Sequence, residues 1–174
     1  MLARAGLTRE EVVLLLDGLA GLCVPVGFDF QWRPVASDPN DDLVVTCAAL
    51  KLVKPERETA ALRAWRATLP PGTELVTSEL ARLEIARTLL RARVDPQRVP
   101  FFTEQALQSL YLLDVTRVVL ARAVAFQAER LGSLDAIHLA SAEPFRTELT
   151  DFVTYDLELS AAASDLGMPV RAPA

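Results

Sequence analysis

Histidine and cysteine are scarce in this chain of 174 residues: His138 stands alone, and Cys23 and Cys47 are the only thiols. Two cysteines with no histidines at ligand spacing exclude a zinc module and a disulfide scaffold, and they suit a reducing compartment such as the cytosol. Aromatic residues make up only 6%, so no run of rings offers a platform for stacking bases. Phe101, Phe102 and Tyr111 are read as packing residues. Long apolar runs are missing too. The longest uncharged stretch in the first third, residues 18–28, has 11 residues and contains Pro25 and three glycines. A bilayer span needs about 20 apolar residues, so no membrane partner is expected. Arg4, Arg9, Glu10 and Glu11 interrupt any signal-peptide core. The positive mean hydropathy, +0.24, comes from alanine and leucine spread over helices. Excess positive charge is also lacking. The net charge is −5 and the pI is near 5.0, which excludes bulk phosphate attraction as the basis of any nucleic-acid binding.

What is present is a repeating pattern. Thr8 to Glu11 form a capping box ahead of an apolar helical stripe, so a helix is expected over 9–22, then a short strand at 24–26 and a polar turn region over 31–42. Leu43-Val44-Val45-Thr46 reads as a buried strand, with short helices at 48–53 and 56–68. Strands are expected at 74–76, 111–113, 152–154 and 168–170. Helices are expected at 78–93, 103–110, 116–130, 134–146 and 157–166. Short apolar strands alternating with helices predict an α/β fold in three layers, a mostly parallel sheet of four or five strands with helices on both faces.

In such a fold ligands bind at the carboxyl ends of the strands. Three acidic residues fall there: Glu84 on the helix after strand 74–76, Asp135 at the start of a helix, and Asp156 directly after strand 152–154. Carboxylates converging in one crevice repel one another unless a cation lies between them. Mg²⁺ bound by carboxylates and water promotes displacement at phosphorus. Each residue also has a local alternative. Asp156 can cap a helix, Asp135 can complement a helix dipole, and Glu84 can pair with Arg87. His138 lies three residues from Asp135 and reads as a hydrogen-bonded packing residue. Arg87 and Arg91 share a helical face with Glu84 and suit RNA phosphates or a partner's carboxylates.

Three segments carry a family resemblance: Thr77-Ser78-Glu79-Leu80-Ala81-Arg82-Leu83-Glu84-Ile85-Ala86-Arg87, Ser133-Leu134-Asp135-Ala136-Ile137-His138-Leu139-Ala140, and Val153-Thr154-Tyr155-Asp156. In order and spacing they resemble the PIN-domain family, and in particular VapC-type toxin ribonucleases, over residues 43–174. The resemblance implies a PIN-like domain at 43–174 that acts as a Mg²⁺- or Mn²⁺-dependent endoribonuclease in the cytoplasm, is homodimeric, and is inhibited by a cognate VapB-like antitoxin. It implies that Glu84, Asp135 and Asp156 form the catalytic and metal site, with Thr154 as a supporting hydroxyl. The chain departs from the family at its first strand, where Val45-Thr46-Cys47-Ala48-Ala49-Leu50-Lys51 matches a motif that opens with a metal-ligating aspartate. Val45 cannot ligate a cation, and this motivates an alternative: a catalytically impaired module that keeps its dimer and antitoxin surfaces. Asp41 and Asp42 are expected at the far end of the strand, roughly 10 to 13 Å away. Residues 1–42 are read as an N-terminal appendage. Their Trp32-Arg33-Pro34-Val35 and Asp38-Pro39-Asn40-Asp41-Asp42 segments resemble the later half of another PIN subgroup, which would put a helix over 41–50 in place of the strand.

Overall fold

The computed structural model describes residues 43–46, 48 and 56–174. The helices expected at 9–22 and 48–53, the strand at 24–26, the turn region of 31–42 and the positions of Asp41 and Asp42 lie outside the described residues.

Among the described residues, five parallel strands form one sheet: β1 (Leu43–Thr46), β2 (Glu74–Ser78), β3 (Tyr111–Leu113), β4 (Leu149–Val153) and β5 (Val170–Arg171). Their order is β3-β2-β1-β4-β5. The six α-helices among the described residues are α1 (Thr59–Ala67), α2 (Leu80–Arg91), α3 (Val99–Leu107), α4 (Arg117–Ala125), α5 (Ser133–Ala142) and α6 (Leu157–Asp165). β1 is central. Its register pairs Val45 with Val76 on one side and with Phe152 on the other. The strand reading of 43–46 therefore prevails over the helix implied by the second resemblance, because without this strand β2 and β4 would not be joined.

Alternation along the strands builds the layers. Val76 and Phe152 pack with Leu139, Leu159 and Ala163 of α5 and α6. The neighbouring Leu75 and Val153 pack with Leu62 and Trp65 of α1. A further cluster joins α2 to α3 through Ile85, Leu89, Phe102 and Leu107. The sheet is thus covered on both faces, as the apolar, β-branched strands require.

Element boundaries differ from expectation where chemistry specific to the fold intervenes. α3 starts at Val99 rather than 103, because Pro100 falls in its first turn, where no amide bond is lost. The helix expected to reach 130 stops at Ala125, where Phe126 turns extended. α5 ends at Ala142, and Pro144 follows in a short 3₁₀ turn over Glu143–Phe145. β4 begins at Leu149, ahead of the expected 152, because the buried Asp151 is satisfied by Arg171 of β5 at 2.7 Å.

Candidate active site

Asp156 directly follows the carboxyl end of β4 through a two-residue connection. The buried Thr154 hydroxyl accepts the Asp156 N–H at 3.2 Å, which fixes that turn. Asp156 is the N-cap of α6, its Oδ1 accepting the Glu158 and Leu159 N–H groups, each at 2.9 Å. The local role open to Asp156 in the sequence is therefore filled.

Asp135 behaves differently. It occupies the first turn of α5, whose N-cap, Gly132, supplies no side-chain cap. The carboxylate folds back so closely that a Cβ built on Gly132 would lie 2.7 Å from Asp135 Oδ2. A side chain at this position would displace the Asp135 carboxylate, although the φ of −64° is open to any residue. The Asp135 carboxyl is held above the ordinary aspartate range, first by burial, then by the negative charge of Asp156, and further by that of Glu84. His138 and the residue's own backbone amide partly offset this. Asp135 thus feels the other two acidic residues, although the three come from α5, the α6 cap and α2.

Glu84 does not pair with Arg87. Its Oε2 lies 3.0 Å from Nε2 of His138, a side chain only 4% exposed. The other ring nitrogen, Nδ1, is buried without a hydrogen-bond partner among the described residues. Nothing in the sequence announces this contact except the i,i+3 spacing that puts Asp135 and His138 on one face of α5. Arg82 on α2 is held by Glu79 and Glu104. Arg87 and Arg91 are exposed and have no ion-pair partner among the described residues.

The donor chemistry suits a hard divalent cation: carboxylate oxygens with an excess of negative charge. Among the described residues no three His, Cys, Asp or Glu side chains converge tightly enough to ligate one ion directly. Mg²⁺ does not demand this, since it usually takes one or two carboxylates and keeps several waters.

Comparison with known proteins agrees with this architecture. Residues 43–164 match the PIN domain family. Ribonuclease VapC47 of Mycobacterium tuberculosis (strain CDC 1551 / Oshkosh) is 38% identical over 132 residues, covering 74% of this chain and 93% of that protein. Ribonuclease VapC35 of Mycobacterium tuberculosis (strain ATCC 25618 / H37Rv) is 39% identical over the same length and shares. A solved toxin–antitoxin complex from Klebsiella pneumoniae aligns with 25% identity and a TM-score of 0.45, covering 67% of this chain and 87% of that one. The chain belongs to the PIN domain family and is of VapC type.

Proposed function

We propose that this protein is the ribonuclease toxin of a toxin–antitoxin pair, hydrolysing RNA phosphodiesters with a divalent cation, Mg²⁺ or Mn²⁺, held by Glu84, Asp135 and Asp156. The observation that carries the reading is the Asp135 carboxyl, pushed up by burial and by the charges of Asp156 and Glu84. Such like-charge crowding is costly unless a cation relieves it. The similarity to proteins named ribonucleases VapC47 and VapC35 supports the reaction class.

A bound ion of this kind would supply neutralisation of charge at the scissile phosphate and a more acidic water. The chain's own residues do the rest. Asp135 and Asp156 provide the negative field, Thr154 holds the turn that presents Asp156, and Glu84 orients ion or water. Arg87 and Arg91, exposed on α2 with Glu84, would meet RNA phosphates or the carboxylates of an antitoxin. A homodimer, a cognate VapB-like antitoxin and a cytoplasmic setting belong to the same reading. No helix among the described residues is long and apolar enough to cross a membrane. Residues 1–42 are taken as an appendage to the PIN domain at 43–174.

Asp135→Asn tests the proposal. It should abolish Mg²⁺-dependent cleavage of RNA, and cleavage that persists in this variant, or that runs equally well in EDTA, overturns the proposal.

A second reading has its own observations: Val45 stands where the family motif opens with an acidic ligand, and no three described donors converge on one point. In that reading the chain is a catalytically impaired PIN module that retains dimer and antitoxin binding. Val45→Asp separates the two. Activity or tight Mg²⁺ binding that appears only in the variant favours impairment, whereas RNA cleavage by the unmodified protein rejects it.

A further inference from the structure

We infer that His138 is a positioning residue: its Nε2–H holds Oε2 of Glu84 and leaves Oε1 as the oxygen Glu84 offers to the metal site. The inference rests on the metal-site reading above and adds a residue and a geometry to it.

The contact is unusual for its location. His138 sits on α5, with only 4% of its side chain exposed, and Glu84 on α2 is 24% exposed, 54 positions away in sequence. Glu84 has an arginine three residues along its own helix, at a spacing that favours ion pairs, yet it is held from the interior while Arg87 is exposed. An ionised carboxylate has only acceptor sites. A 3.0 Å approach of Nε2 to Oε2 therefore requires the ring proton on Nε2. Nδ1 is buried with no partner among the described residues and is unpaired in either tautomer; the contact with Glu84 selects the form protonated at Nε2, because the other would turn a lone pair toward the carboxylate.

The consequence is mechanical. A glutamate side chain has three rotatable bonds and, left free, can present either oxygen or swing toward solvent. A single bond from a rigid, buried ring removes that freedom, much as an outer partner fixes a metal-ligating carboxylate. Glu84 Oε1 has no hydrogen bond among the described residues.

Because His138 is the only histidine, its ring nitrogens can be read without assignment in a long-range ¹H–¹⁵N spectrum of the full chain. At pH 8 in EDTA, the spectrum should show one tautomer, protonated at Nε2. Glu84→Leu should give a mixture of tautomers. His138→Gln carries an amide donor near the position of Nε2 and should retain Mn²⁺ affinity within about threefold. His138→Leu should lose about 10- to 100-fold, the usual effect of removing an outer partner, as measured by calorimetry with Mn²⁺. A proton on Nδ1, a spectrum unchanged by Glu84→Leu, or wild-type Mn²⁺ affinity in His138→Leu overturns the inference, as does failure of the unmodified protein to bind Mn²⁺. The tautomer is read without metal or turnover, so the inference stays open to refutation even where His138→Leu does not fold. A protein that binds Mn²⁺ and shows the expected tautomer but cuts no RNA would refute the nuclease reading alone.

Discussion

Asp156 and Asp135 both sit at helix N-termini and face the same acidic neighbourhood, yet the fold treats them in opposite ways. Asp156 caps α6 with two backbone N–H groups and has a hydroxyl bracing its turn, so its charge is compensated by the helix it starts. Asp135 begins a helix whose cap position is a glycine, and it is held near two other negative charges with its carboxyl raised. The first aspartate would be worth keeping in a protein with no ligand. The second is half-buried beside the charges of Asp156 and Glu84, a crowding that the proposed cation would relieve.

The sharpest way to break this contrast is to neutralise Asp135. Asp135→Asn should reduce RNA cleavage at least about 100-fold, as expected when an acidic group of a metal site is removed, while raising the melting temperature at pH 7. The sign follows from linkage: a carboxyl whose folded pKa is raised costs stability when ionised, and the cost disappears as pH falls through that raised value. The gain in Tm should therefore vanish below the ordinary aspartate value of 3.8. A variant that is inactive and also less stable at pH 7 would make Asp135 a structural residue like Asp156.

Asp156 permits the complementary separation. Asp156→Ala should cost about 1 kcal/mol of stability through loss of the cap, whereas Asp156→Asn, itself a good cap, should leave the unfolding midpoint nearly unchanged. Both should impair cleavage if the charge matters as well as the cap. Equal activity in Asp156→Asn and the parent would confine this residue to helix capping.

Gly132→Ala has a smaller expected effect. The added Cβ meets the mobile end of the Asp135 side chain, which can rotate away at little cost in stability. Displacing that carboxylate should reduce cleavage by about tenfold, on the scale of a misplaced metal-site group.

The mildest test lies away from the site. Glu143 is held by Arg122, whose guanidinium also lies 4.5 Å from the Phe126 ring centroid. That hydrogen bond pulls the Glu143 carboxyl below its ordinary value, so its contribution is present above pH 4.5 and lost as pH falls through the lowered folded value. Glu143→Gln should lower Tm slightly at pH 7, with the difference closing in acid and cleavage untouched.

The architecture was legible in the sequence because each strand is a short apolar run bounded by turn residues and each helix carries its own stripe. The parts that were not legible depend on partners distant in sequence. Thr150 and Asp151 look too polar to start a strand until Arg171 arrives from β5 to satisfy Asp151. At the site, the position of Asp156 beside the end of β4 could be read directly, since strand and aspartate adjoin. The crowding of Asp135 by Glu84 and the clasp of Glu84 by His138 arise only when α2 packs on α5, across 54 positions of chain.

The placement of β1 in the middle of the sheet has a practical corollary. Residues 43–46 are the seam that fastens a β3-β2 ribbon to a β4-β5 ribbon, although they come first among the described strands. Shortening the gene from its 5′ end therefore has a sharp threshold: a cut that consumes this tetrapeptide would not trim the domain but unzip it down its centre.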